Sequence, residues 1–410
     1  MRRLYLVLFF TVLTLISAVA SGFPVFYSLL YVLIGAMLIS LAWAAANLAW
    51  IRVTVERRWE SPKVGRFIDA ELLITNKSLL PKAILEIRDM EALPAQVTGK
   101  VLNLLPFQTV RWHVQAPLKK RGVYSLGPPR VFSSDPFGLF RLSRAFQGTE
   151  EVTVYPLTVD LHNFWLSPND LFHQGSHYQH IHESAPSVSN IRDYNPGDGL
   201  QRIHWPSTAR TQKLMVKQFE NEIGNHLWIV LDMHHGVKAG GDIDNTEEYG
   251  ITIAASIAER FLATGWPVGL IAHGEARCFL APQLGGAALD DILRALAMAR
   301  ATGSEALAET LRQSWSHFGA SSRVVIITSS ADSAWIEHVS TSSIQRPQLT
   351  VVLIDAQSFG GSQDASTAVG LLQGNSILTY LVRRGDDLAT ALDYRPLAPY
   401  HDGATSRKST

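Results

Sequence analysis

From Leu4 to Ile51 the chain carries no Asp, Glu, Lys or Arg, a charge-free run of 48 residues. A helix crosses the hydrocarbon core of a bilayer with about 20 residues, so this run is too long for one span and suits two. Gly22-Phe23-Pro24 interrupts it, leaving Leu4 to Ala20 and Val25 to Ile51 as the arms of a helical hairpin, with Trp43 and Trp50 placed for an interfacial aromatic belt. Arg2 and Arg3 precede the first arm, while Arg52, Arg57, Arg58, Lys63 and Arg66 follow the second, and the turn between has no charge. The positive-inside rule then places both ends, and all that follows, in the cytoplasm. Arg2-Arg3, the apolar stretch to Ile16 and the small residues Ala18-Val19-Ala20 also fit a cleavable signal peptide. In that reading the second arm acts as a stop-transfer anchor and the location is unchanged.

Beyond Ile51, 359 residues hold 34 basic and 36 acidic side chains. With no surplus of positive charge to draw in a phosphate backbone, nucleic-acid binding is not expected. A single cysteine, Cys278, excludes intrachain disulfides and four-cysteine zinc sites and fits a reducing compartment. Its neighbours Phe279 and Leu280 mark a buried, inert thiol.

Hydropathy patterning divides the chain after the hairpin of residues 1–51. Over 52–162, Ile68, Ala70, Leu72 and Ile74 alternate with Asp69, Glu71, Leu73 and Thr75, and similar short segments follow between prolines, which predicts an antiparallel β-sandwich. Asp135-Pro136-Phe137-Gly138 reads as a tight turn. Residues 163–225 lose periodicity and read as a connector. Over 226–397, Leu227 to Leu231, Pro267 to Ile271, Val324 to Ile327 and Val351 to Ile354 are continuous apolar runs, as strands buried on both faces require. Ala254, Ile257, Ala258 and Phe261 share one helical face, and Leu289, Ile292, Leu293 and Leu296 another. Alternating strands and helices predict an α/β domain with an open, mainly parallel sheet. Residues 398–410 read as a flexible tail.

In such a sheet, ligands sit beyond the carboxyl ends of the strands, where Asp232, His273, Thr328 and Asp355 fall. Asp232 occupies the place where a von Willebrand factor A-type domain opens its metal site with Asp-x-Ser-x-Ser. Here the run is Asp232-Met233-His234-His235-Gly236, without either serine hydroxyl, so Mg²⁺ loses oxygen ligands and the site is read as degenerate. Thr246 and Asp332 are further sources of oxygen, and no other cofactor is indicated. His173, His177, His180 and His182 beside Glu183 are imidazoles of a kind zinc accepts, but their spacing matches no standard zinc motif. They read first as solvated loop histidines, with a metal-dependent hydrolase or metalloprotein using Asp232 and these histidines as the competing view. No Gly-x-Ser-x-Gly elbow, Walker A loop or Gly-x-Gly-x-x-Gly stands between a strand and a helix, so an enzyme is not expected.

The most specified stretch runs from Asn190 to Arg210. Arg192, Asp193, Tyr194, Asp198, Arg202, Trp205 and Arg210 surround a Pro196-Gly197 turn. Such a set suits arginine–carboxylate forks and arginine–aromatic stacking, either as a structural clasp ahead of the α/β domain or as a partner-binding surface. At Arg192, Tyr194, Pro196, Gly197, Asp198, Ile203, Trp205, Ala209 and Arg210 the chain is similar to the bacterial family carrying domain of unknown function 58. It departs from that pattern at Gln201, where the family has arginine. Arg121-Gly122-Val123-Tyr124, Asp135 to Phe140 and the two-span amino terminus are similar too. The resemblance implies a von Willebrand factor A-like carboxy-terminal domain at the inner membrane. It also implies a MoxR-type AAA+ ATPase as partner, with a transglutaminase-like membrane protein as a second neighbour. The expected function is a non-enzymatic, membrane-anchored adaptor or scaffold in the assembly or remodelling of envelope complexes.

Overall fold

Gly22, in the left-handed region at φ +66°, and Phe23 break the apolar run into two helices, α1 (Arg2–Ser21) and α2 (Pro24–Leu48). Pro24 opens α2 where its missing N–H costs nothing. Both are long and apolar enough to cross a membrane. In this computed structural model the described residues are 2–90, 93–94, 99–166, 188–193, 203–219, 226–319, 321–341 and 347–393, and the chain divides into two units, Met1–Tyr155 and Pro156–Thr410.

In the first unit, nine antiparallel strands follow the helices among the described residues: β1 (Ile51–Arg58), β2 (Phe67–Asn76), β3 (Lys82–Arg88), β4 (Lys100–Leu104), β5 (Thr109–Pro117), β6 (Gly122–Leu126), β7 (Arg130–Ser134), β8 (Arg141–Ala145) and β9 (Glu150–Val154). They form sheets in the orders β1-β2-β5 and β4-β3-β7-β8, with β6 and β9 as a further pair. Ile68, Ala70, Leu72 and Ile74 all point into one core with Leu85 and Ile87 of β3, as their alternation predicts. Arg57 and Asp89 form an ion pair inside this unit at 2.6 Å with neither side chain exposed. The same guanidinium donates to the Gly127 and Gly148 carbonyl oxygens, so the buried charge makes four hydrogen bonds.

The second apolar helix ends earlier than its hydropathy predicts, since Ile51 already belongs to β1. Its last turns dock on the β-strands through Ser40, Ala44, Asn47 and Leu48, buried at a spacing that keeps them on one helical face. The Ser40 hydroxyl donates to Asp135, and Asn47 exchanges two hydrogen bonds with the backbone of Ala83, one of 3.0 Å and one of 3.4 Å. Buried Lys82 donates to the Ala46 carbonyl oxygen near the negative end of the helix, and desolvation pushes its ammonium below the usual lysine range. Ser40 and Asn47, polar residues inside an apolar run, are the contacts that orient the strands on the helix.

In the second unit, β10 (Val188–Asp193) and β11 (Met215–Phe219) pair antiparallel around α3 (Trp205–Thr211). There follow β12 (Leu227–Leu231), α4 (Thr246–Ala263), β13 (Val268–His273), β14 (Arg277–Gln283), α5 (Gly286–Met298), α6 (Leu307–Ser314), β15 (Arg323–Thr328), α7 (Ser333–Thr341), β16 (Gln348–Ile354), α8 (Ala365–Gly374), β17 (Leu378–Val382) and α9 (Leu388–Ala391). The sheet order is β14-β13-β12-β15-β16-β17, with every neighbour parallel except β14. The four expected apolar runs are its four inner strands, and β14 and β17 are the edges. Every residue of β12 is buried, as strands covered on both faces require. Residues 164–166 also pack into this unit. Phe164 stacks on Tyr380 at 5.0 Å, and the Thr350 hydroxyl donates to the Leu166 carbonyl oxygen.

Candidate functional site

Strand order in the six-stranded sheet reverses between β12 and β15: the chain leaves β12 toward β13 on one side and returns to β15 on the other. Their carboxyl ends therefore splay apart at the place where open α/β sheets bind ligands. Asp232 follows β12 there and Thr328 ends β15 beside it. The Thr328 hydroxyl donates to Asp232 Oδ2 at 2.6 Å, and the His234 N–H donates to Oδ1 at 3.1 Å. Burial pushes the Asp232 carboxyl above the usual carboxylate range, although Thr328, the His234 amide and the His234 ring pull it down. Asp232 is half-buried, and the protein packed around it makes charge costly there.

The Thr328 hydroxyl thus gives its proton to Asp232, and its oxygen accepts from the Ser330 N–H at 2.9 Å. Thr246, at the start of α4, is used in the loop: it donates to the Val237 carbonyl oxygen and accepts from the Ala239 N–H, each at 3.0 Å. Asp332 accepts from the Ala334 N–H at the start of α7. Asp232, His234, Ser330, Asp332, Trp335 and Gln363 line a cleft of about 240 Å³. Among the described residues no group of three or more His, Cys, Asp or Glu is placed to hold a metal ion.

The other strand ends lie beside charged groups. His273 Nδ1 lies 3.5 Å from Glu305, which also receives Arg277 at 3.6 Å. Asp355 lies 3.7 Å from Arg383 and caps the turn that follows it. Cys278 is half-buried in β14, and burial pushes its thiol up, away from thiolate chemistry. Sequence reasoning placed Thr328 at this end of the sheet but missed Ser330, although a Thr-Ser-Ser run closing an apolar strand was its available signal.

Of the Arg/Asp/Trp motif, Arg192 and Asp193 end β10, their backbones opposite Val216 and Met215. Trp205 opens α3 with its side chain 65% exposed, and Arg210 lies exposed near its end. His204 caps that helix, its ring nitrogen accepting from the Ser207 N–H at 3.3 Å. Tyr194, Asp198 and Arg202 lie outside the described residues, as do His173, His177, His180, His182 and Glu183.

This motif and five of the six strands of the sheet that follows lie within one matched stretch. Residues 190–358 match the family model described as Protein of unknown function DUF58. The motif resemblance and the DUF58 match thus agree, and the matched region runs from β10 past Asp232 to the turn after β16. A curated relative, Uncharacterized protein YeaD of Bacillus subtilis (strain 168), is 27% identical over 197 residues, or 47% of this chain and 46% of that protein. The match therefore spans less than half of the relative's length. Among solved structures, a FixG-related protein from Vibrio parahaemolyticus has a TM-score of 0.18 at 9% identity, covering 26% of this chain and 98% of that one. BslA, a bacterial hydrophobin, has a TM-score of 0.17 at 14% identity, covering 27% and 98%. At those scores neither likeness bears on fold or function.

Proposed function

We propose that this chain is a non-enzymatic, membrane-anchored adaptor or scaffold whose α/β unit engages a protein partner. The observation that carries the reading is the hydrogen bonding at the switch point: Asp232, Thr328 and Ser330 are tied to one another, which favours a structural role for this end of the sheet. Exposed Trp205 and Arg210 favour the partner-binding view of the motif over the clasp, because tryptophan and arginine are enriched where interfaces gain most of their energy. The sheet order with its antiparallel edge strand supports a von Willebrand factor A-like reading of the unit, with Asp232 as a degenerate metal position.

The two apolar helices are read as a hairpin in the inner membrane, and the basic residues at both its ends support a cytoplasmic location for both units. A MoxR-type AAA+ ATPase is the partner proposed, with a transglutaminase-like membrane protein as a second. Calorimetric titration of the full chain in detergent with Mg²⁺ and with Zn²⁺ separates this reading from a metalloprotein. No stoichiometric heat is expected; tight binding of either ion at one equivalent would overturn it.

A further inference from the structure

The strand registers put one end of the first unit's β-strands in a particular place. Ile51 pairs with Asn76, Thr75 with Thr109, Lys82 with Leu104 and Leu85 with Ser133. The turns after β2, β4 and β7 therefore gather at the end where α2 runs into β1. The opposite end carries the β5–β6 turn with Lys119 and Lys120.

The gathered end is apolar where it is most exposed. Trp50, Leu79, Leu80, Leu105, Phe107 and Phe137 are each between 55% and 79% exposed. Six large apolar side chains on neighbouring loop tips exceed the scattered hydrophobes of an ordinary surface. Trp50 and Phe107 are moreover held in the left-handed backbone region, at φ 56° and 58°, which bulky residues seldom adopt. Exposed Lys77 stands among them, its N–H donating to the Trp50 carbonyl oxygen at 2.9 Å.

Helix lengths set the depth. The 20 residues of α1 and 25 of α2 rise about 30 and 37 Å at 1.5 Å per residue, against a hydrocarbon core of about 30 Å and about 40–45 Å with headgroups. The excess of α2 places its last turns and Trp50 among headgroups. The β7–β8 turn reaches further along the helix: Asp135 takes the Ser40 hydroxyl, and a side chain at Gly138 would meet the Arg3 guanidinium at 3.2 Å. This turn stands level with the start of α1. Asp135 tolerates that depth because Ser40 and the Phe137 and Phe140 N–H groups all donate to it.

Resting on the membrane-hairpin reading, we propose that this end of the β-strands is itself a lipid-binding surface. Its loop tips insert Leu79, Leu80, Leu105, Phe107 and Phe137 into the bilayer interface while Arg3 and Lys77 face lipid phosphates. Continuity with the two apolar helices, which leave from the same end, fixes lipid as the occupant. The hairpin then tethers the chain and the loop tips hold the first unit against the bilayer.

The test uses the full chain in a Cys278→Ser background, reconstituted in phosphatidylcholine–phosphatidylglycerol vesicles, with a nitroxide at one introduced cysteine. Val12→Cys probes α1, Leu79→Cys, Phe107→Cys and Phe137→Cys probe the loop tips, and Lys119→Cys probes the opposite end. Collision rates with oxygen and with a water-soluble nickel chelate report depth. A several-fold higher oxygen-to-nickel ratio at the three loop tips than at Lys119, with Val12 deeper still, is expected. A lipid-buried Val12 with loop tips as nickel-accessible as Lys119 overturns the proposal alone, including the case where they become shielded only in native membranes and so face a protein. A nickel-accessible Val12 overturns the hairpin reading and the proposal with it.

Discussion

Replacing Asp232 separates a structural strand-end carboxylate from a metal ligand. Asp232→Ala removes the acceptor of the Thr328 hydroxyl and the His234 amide. Thr328 is buried, so its stranded hydroxyl costs about 1–3 kcal/mol, with less lost at the half-exposed loop amide. The replacement also removes a charge that burial disfavours, which trims that cost. The net expectation is a loss of about 1–2 kcal/mol, or roughly 5- to 30-fold faster amide exchange in β12 and β15 under conditions where exchange follows local opening. Asp232→Asn keeps an acceptor and should stay within about 1 kcal/mol of the parent at pH 7.

The pH dependence has a definite sign. The folded carboxyl holds its proton more tightly than the unfolded chain does. The parent therefore loses stability relative to Asp232→Asn as pH rises from about 4 to the raised folded value, and below about pH 4 the difference levels off. Millimolar Mg²⁺ should leave exchange in both strands unchanged. Hydrogen exchange with mass-spectrometric readout measures all of this. Unchanged exchange in Asp232→Ala, or Mg²⁺ protection that Asp232→Asn abolishes, would refute the reasoning.

Other outcomes follow from the first unit and the motif. Arg57→Ala strands a buried carboxylate and should cost about 3–5 kcal/mol, whereas Arg58→Ala, which loses only the exposed pair with Glu56, should cost under about 1 kcal/mol; exchange in β1 and β2 distinguishes them. Burial alone would raise the Asp135 carboxyl, but hydrogen bonds from Ser40, Phe140 and Phe137 together hold it below the usual range. Its contribution is thus present above about pH 4 and fades as pH falls through the depressed folded value, so exchange at residues 136–140 should rise on acidification and no longer do so in Asp135→Asn. Trp205→Ala should leave the melting temperature unchanged, because the ring is exposed, and should lower partner recovery; a large drop in melting temperature would restore the clasp reading.

How much of this was readable in advance depended on the range of the interaction. The alternation of Ile68 to Ile74 and the unbroken run of Leu227 to Leu231 are local, and each specifies a strand with the burial observed. The edge strand β17 escaped because Thr379 and Tyr380 interrupt its apolar run and, lacking a neighbour on one side, it is less completely buried than the inner strands. Ser40 and Asn47 look like minor polar positions in an apolar helix. Only their spacing with Ala44 and Leu48 marks a docking face, and no hydropathy average registers it. Arg57 and Asp89 are 32 residues apart and meet only through the packing of two sheets. At the site, Asp232 and the loss of both serines were legible, while the role of Thr328 depended on two strands lying side by side.

The adaptor reading is tested most directly at Trp205 in native membranes. A photo-crosslinking amino acid placed there, in the full chain expressed in its own host, should capture an AAA+ ATPase, with capture lost when Arg210→Ala is added. Crosslinks solely to lipid or to other copies of the chain, or no adduct at all while the purified chain hydrolyses a substrate with a bound metal ion, would contradict it.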